Sequence, residues 1–171
     1  MYGRLSIDVD PIRNYEAAVQ REASITPIRG DANKTKPLGD RRKKHLNIRK
    51  GANDEIIVQL YSTDVVTYHK DGRIEVSVRR WRSNTTHQAI SAVTGAGTAY
   101  ADGMSWIECE WDHDGVRTRG YLPFGKGHTP GVFTRVPDRV YGALYTDNPV
   151  FPVAHTKDRK AMKRVREQHK E

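Results

Sequence analysis

The chain has 171 residues, of which 36% are hydrophobic, and it carries a formal net charge of +8. This length fits one domain with arms or tails, and the basic balance favours polyanionic partners. The single cysteine, Cys109, excludes an internal disulfide and a cysteine-rich zinc site. No apolar run approaches the roughly 20 residues that span a bilayer, and none follows Met1-Tyr2-Gly3-Arg4, so neither membrane association nor a signal peptide is expected.

The first predicted region, residues 1–54, combines a helix with a basic extended arm. Asp10 is expected to cap a helix that starts at Pro11 and continues to about Ala23, because apolar residues recur there at helical spacing. Residues 24–54 contain several glycines and prolines and a run of cations. This composition predicts an extended arm with turns.

Residues 55–80 give the clearest hairpin signal. A first strand is followed by two strands that flank Asp71-Gly72, a pair that favours a two-residue turn. That turn would place Val65 on the core face. Tyr68 would lie opposite Glu75 on the other face.

One helix follows this hairpin. Ser83 or Asn84 is expected to cap it, residues 85–94 to form it, and Gly95 to end it. Residues 95–103 are predicted to be a loop, because small residues and glycines interrupt the hydrophobic pattern.

The remaining elements complete an α+β fold. Residues 104–112 and 116–122 predict a second hairpin, residues 140–145 a last strand, and residues 156–168 a basic helix. The predicted architecture is an antiparallel sheet of about five strands with one or two packed helices, an extended N-terminal arm and a basic C-terminal helix. The predicted divisions of the chain are 1–54 for the helix and arm, 55–153 for the α+β core, and 154–171 for the basic helix or tail.

Positive charge is concentrated in two segments. Residues 41–50 hold six basic and no acidic residues, and residues 156–171 hold seven basic and three acidic residues. These segments therefore carry +10 together, whereas the rest of the chain carries −2. Clustered cations bind phosphates and displace counterions, so both segments are candidate nucleic-acid contacts, with a solvated linker or tail as the alternative.

A third candidate contact places an aromatic residue among cations. Trp81 follows Arg79 and Arg80 and precedes Arg82, so its ring could stack on a base, unless the following helix buries it in the core. The candidate nucleic-acid-binding residues are Arg41, Arg42, Lys43, Lys44, Arg49, Lys50, Arg79, Trp81, Arg82, Lys160, Lys163 and Arg164.

Four carboxylates at alternate positions of residues 108–114 resemble a metal site. Hairpin alternation places the first three on the face of Arg117 and Arg119, so cross-strand ion pairs explain the pattern without a metal. Cys109 lies on the opposite, apolar face and is expected to be buried and structural. No nucleophile, metal cage or cofactor loop is predicted, so the chain is not expected to be an enzyme and no cofactor is expected.

Several short segments resemble small uncharacterised proteins of tailed bacteriophages. The resemblance covers roughly residues 25–95 and rests on Thr26-Pro27-Ile28-Arg29-Gly30, Pro37-Leu38-Gly39, Arg41-Arg42, the run from Leu60 to His69, Asp71-Gly72, Trp81 and Ser83-Asn84-Thr85-Thr86. It brings no assigned activity and no catalytic residues. It implies a place in the cytoplasm of an infected bacterium or in the virion.

These observations favour a phage accessory protein that binds DNA or RNA through phosphate contacts with little sequence preference. The alternative is a protein-interaction module, either a virion component or an inhibitor that docks on an acidic host protein. Charge alone does not separate these two partners, because both present a negative surface.

Overall fold

The computed structural model describes residues 7–40, 42, 45–79, 83–101, 103–124, 131–134, 144–147 and 149. In chain order its elements are α1 (Tyr15–Ser24), β1 (Lys36–Pro37), β2 (Leu46–Lys50), β3 (Ile56–Leu60), β4 (Thr63–Tyr68), β5 (Ile74–Val76), α2 (Asn84–Thr94), β6 (Thr98–Ala101), β7 (Met104–His113), β8 (Val116–Phe124), β9 (Gly131–Phe133) and β10 (Leu144–Tyr145). The predicted α+β class with antiparallel strands is confirmed, although these strands form two sheets instead of one. The basic helix predicted for residues 156–168 lies outside the described residues.

Helix α1 begins later than the sequence suggested. The side chain of Asn14 caps it by accepting a hydrogen bond from the backbone of the first turn. The predicted start at Asp10-Pro11 is wrong, because Ile12 is buried and its N–H donates to the carbonyl of Val93 at 2.8 Å. The chain therefore packs against α2 before α1 begins.

The larger sheet has the strand order β1-β2-β3-β4-β5-β9, and all of its neighbours are antiparallel. The prediction of an extended arm is wrong for residues 36–37 and 46–50, which are strands of this sheet. Leu46 and Ile48 alternate with polar residues and are buried, so β2 contributes to the core from within the basic run.

The β4–β5 register differs by one residue from the prediction. Tyr68 pairs with Ile74, and the loop comprises three residues, 70–72, that end in Gly72 with φ +93°. Because side chains alternate along a strand, this slip moves Tyr68 to the core face. There its hydroxyl donates to the carbonyl of Ile12 at 2.7 Å.

Helix α2 agrees with the prediction. The hydroxyl of Ser83 accepts a hydrogen bond from the N–H of Thr86, and Gly95 ends the helix with φ +76°. Ile90 and Val93 on its apolar side are fully buried, and α2 contacts both β4 and β6.

The smaller sheet is built on the β7–β8 hairpin. The predicted hairpin is confirmed, and His113 pairs with Val116 across a two-residue turn. The loop predicted for residues 95–103 is wrong for β6, which pairs antiparallel with the start of β7. Farther along β7, β10 pairs in parallel through Leu144 and Tyr145.

One hydrophobic core joins the two sheets. Its buried residues come from both sheets and from α2, and α1 and the segment before it pack against its side.

Candidate nucleic-acid interface

The strand order brings two basic parts of the sequence to one end of the larger sheet. Because β2 to β5 are successive antiparallel neighbours, the starts of β2 and β4 lie beside the ends of β3 and β5. Arg42 lies in the connection that enters β2, and Arg79 in the segment that leaves β5. Three inter-strand spacings place β2 and β5 roughly 14 Å apart. Arg42, His45, Tyr61 and Arg79 are called the basic end below.

The two arginines of the basic end are exposed. The backbone N–H of Arg42 donates to the carboxylate of Asp40 at 2.9 Å, and the backbone N–H of Arg79 donates to the hydroxyl of Ser77 at 3.3 Å. Within the part of the chain that the structure describes, no carboxylate forms an ion pair with either guanidinium. Both cationic groups therefore face solvent where an anion can reach them.

The three cations of residues 41–50 that the structure describes, Arg42, Arg49 and Lys50, do not form one cluster. Arg49 pairs with Asp64 of β4, with 3.3 Å between Nη2 and Oδ2. Lys50 lies at the opposite end of β2, roughly 14 Å from its start. Outside the described residues lie Arg41, Lys43, Lys44, Trp81, Arg82, Lys160, Lys163 and Arg164.

Tyr61 is the residue of the basic end that the sequence did not single out. It lies in the turn between β3 and β4, its side chain is 62% exposed, and its backbone has φ +54°. Its N–H donates to the carbonyl of His45 at 2.6 Å, and the two ring centroids are 6.1 Å apart. An exposed aromatic residue thus lies between the strands that lead to Arg42 and Arg79.

A cleft of about 450 Å³ adjoins the basic end on the side of His45. Its apolar walls come from Ile7, Val9, Leu38 and Leu46, and its polar lining includes Asp8, Asp40 and His45. The two carboxylates make this cleft unfavourable for phosphate. Asp40 belongs to both surfaces, since its carboxylate also accepts a hydrogen bond from the backbone N–H of Arg42.

The carboxylates of the β7–β8 hairpin form the cross-strand ion pairs predicted from the sequence. Arg117 Nε lies 2.8 Å from Asp112 Oδ1, and Arg119 Nη2 lies 2.7 Å from Glu108 Oε1. Arg117 also lies 3.7 Å from the buried Glu110. Among the residues described, no group of three or more histidine, cysteine or acidic side chains is arranged to hold a metal ion.

The same network attaches β10 to the hairpin. The hydroxyl of Tyr145 donates to Asp112 at 3.0 Å, and the guanidinium of Arg117 lies 4.9 Å from the centroid of its ring. The hydrogen bond from Arg117 lowers the pKa of Asp112, with a further contribution from Tyr145. This arrangement stabilises the ionised carboxylate of Asp112 and attaches β10 to the hairpin.

Two reactive side-chain types lie in the core instead of at a surface site. Cys109 is fully buried, as the sequence predicted, and this desolvation raises the pKa of its thiol to about 12. His87 Nε2 lies 2.9 Å from the hydroxyl of Ser105, and its Nδ1 lies 2.8 Å from the carbonyl of Ser83. Because both His87 and Ser105 are buried, their hydrogen bond connects α2 to β7 without exposing a nucleophile.

No protein-family model, curated protein or solved structure matches this chain. In the portion that the structure describes, no helix has the length and apolar character required to cross a membrane. The geometry of the basic end is therefore the basis for a functional proposal.

Proposed function

We propose that the chain binds nucleic acid through phosphate contacts at the basic end, with little sequence preference, as an accessory protein of a tailed bacteriophage. The observation that carries the proposal is the position of Arg42 and Arg79. They come from separate parts of the chain, are exposed at the same end of one sheet, and form no ion pair with a described carboxylate.

The contrast with other cations supports this choice of surface. Elsewhere, several basic side chains are held against carboxylates of their own chain and are already partly neutralised: Lys36, Arg49, Arg73, Arg117 and Arg119. An arginine without such a partner can give its full charge and its planar donors to a phosphate. Phosphate contacts position a nucleic acid without reading its bases, which agrees with weak sequence preference.

The spacing of the two arginines suits a polyanion better than a single anion. The strands that lead to them are roughly 14 Å apart, a distance that more than one phosphate of a nucleic-acid backbone covers. A nucleic-acid backbone supplies several phosphates along its length, and each neutralised phosphate releases counterions. The basic segments next to Arg42 and Arg79 in the sequence, Lys43-Lys44 and Arg80-Trp81-Arg82, would add to this interaction.

The test is the salt dependence of binding, measured by fluorescence anisotropy with labelled oligonucleotides of unrelated sequences. The double variant Arg42→Gln/Arg79→Gln removes two contacts at the basic end. The slope of log K against log salt should fall in magnitude by roughly 1.4 for single strands or 1.8 for duplexes. All sequences should lose affinity to a similar extent.

The matched control is Lys50→Gln/Lys70→Gln, which makes the same change in net charge at two exposed positions of the opposite end of the larger sheet, where β2 ends and the β4–β5 loop lies. Wild-type binding is expected in this control, because a separation of roughly 14 Å exceeds the Debye length of about 8 Å at physiological salt. Equal losses in both double variants would refute a localised interface. Binding that is unchanged between low and high salt, or a protein partner that persists after nuclease treatment without any oligonucleotide affinity, would refute the proposed function.

A further inference from the structure

We propose that the basic end binds single-stranded nucleic acid and stacks an unpaired base on the ring of Tyr61. This inference rests on the proposed function, because the phosphate contacts bring the strand to the ring. It adds a substrate class that phosphate contacts alone do not specify.

The backbone of Tyr61 is held in an unusual conformation. Leu60 pairs with Thr63, so Tyr61 and Ser62 are the two central residues of the turn between β3 and β4. Tyr61 has φ +54°, whereas the φ of Ser62 is negative. In two-residue turns with this pattern, glycine is the usual residue at the position that Tyr61 occupies. A bulky side chain is disfavoured in this conformation, and such strain is concentrated at functional sites in proteins.

The ring is exposed and still well positioned. Its side chain is 62% exposed, although the backbone N–H of Tyr61 is fixed by its 2.6 Å hydrogen bond to the carbonyl of His45. The imidazole of His45 lies beside the ring, with 6.1 Å between the ring centroids and an angle of 39° between the ring planes. A base that stacks on the open surface of the tyrosine ring would need little reorganisation of the protein.

The position of the ring favours a single strand. The β3–β4 turn lies between β2 and β5 in the strand order, so a backbone that crosses from Arg42 to Arg79 passes Tyr61. The bases of a duplex are already stacked and paired, whereas those of a single strand can leave the stack and contact the ring. Asp8 and Asp40 line the cleft beside His45, so a phosphate is expected at the exposed arginines and not in that cleft.

The test compares an oligothymidine with a duplex of the same length, using wild type and three variants. Tyr61→Asn removes the ring and introduces a residue that tolerates positive φ. Its affinity for the single strand is expected to fall about 5- to 150-fold, with unchanged duplex affinity and an unchanged or higher Tm. Tyr61→Phe keeps the ring and should bind like wild type. Tyr121→Asn, at an exposed tyrosine of the other sheet, is the matched control and should also bind like wild type.

A second readout locates the contact directly. Ultraviolet cross-linking of the bound oligothymidine, followed by peptide mass spectrometry, is expected to give an adduct on Tyr61. Unchanged single-strand affinity in Tyr61→Asn, while Arg42→Gln/Arg79→Gln loses affinity, would overturn the stacking inference and leave the proposed function intact. Wild-type protein that binds neither oligonucleotide would overturn both.

Discussion

Ile48 is the residue whose replacement best tests the structure of the basic run. It is 1% exposed and lies in β2 opposite Val58, in the core that both sheets share. Ile48→Ala removes three carbon atoms, which corresponds to about 2.4 kcal/mol of lost burial at about 0.8 kcal/mol each. The cavity adds a further cost, so the free energy of unfolding is expected to fall by about 3–4 kcal/mol. If residues 24–54 were an extended arm throughout, the change would be close to zero.

Urea denaturation followed by circular dichroism measures this difference. With a slope of about 2 kcal/mol per molar urea, the midpoint should move down by roughly 1.5–2 M. Ile48→Val removes one carbon and should cost about 1 kcal/mol, whereas Lys50→Ala, at an exposed position of the same strand, should stay within about 0.5 kcal/mol. An Ile48→Ala midpoint that matches Lys50→Ala would refute the placement of β2 in the core.

Three further predictions concern other parts of the fold. The hydrogen bond from Arg117 lowers the folded-state pKa of Asp112, so the ionised carboxylate stabilises the fold above its ordinary pKa of about 4, and this stabilisation is lost as the pH falls. The Tm difference between wild type and Asp112→Asn should therefore narrow below about pH 4. A Tm difference that stays constant with pH would contradict this. Gly95→Ala should lower the free energy of unfolding, measured by urea denaturation, by about 1–2 kcal/mol. Gly95 has φ +76°, which alanine disfavours, and an added Cβ would lie 3.4 Å from the side chain of Pro11. An unchanged free energy of unfolding would contradict this backbone conformation. Cys109 is buried and its thiol pKa is raised, so it should not react with a thiol-specific disulfide reagent at pH 8 until denaturant is added. The reaction is measured by absorbance, and rapid labelling of the native protein would contradict the burial of the thiol.

The two hairpins show what local sequence can and cannot specify. Long alternation in both strands predicted the β7–β8 hairpin and its cross-strand ion pairs correctly. The pair Asp71-Gly72 suggested a two-residue turn, but the loop there has three residues. Such a dipeptide indicates positive φ without fixing the loop length. In the native register Tyr68 is in the core, where its hydroxyl reaches the carbonyl of Ile12, a contact between residues 56 positions apart.

The basic end could be predicted only in part, for a similar reason. Arg42 and Arg79 were recognised as candidate contacts from their local charge, but their common location depends on the order of β2 to β5 in the sheet. Tyr61 gave no local signal, because glycine or asparagine is the usual mark of positive φ in a turn. Its exposure and its contact with His45 follow from the β3–β4 turn packing beside the entry to β2.

The apolar residues inside residues 41–50 explain why the described cations of this run lie at different places on the surface. Leu46 and Ile48 are buried at alternate positions, as in a strand of a sheet, so residues 46–50 are not part of an extended arm. Once this strand is fixed, Arg49 lies beside Asp64 and Lys50 lies at the far end, while Arg42 remains in the connection at the near end. The number of cations in the run therefore overestimates the charge available at one surface. Hydrophobic burial, more than charge, determines which of these cations can meet the same phosphate backbone.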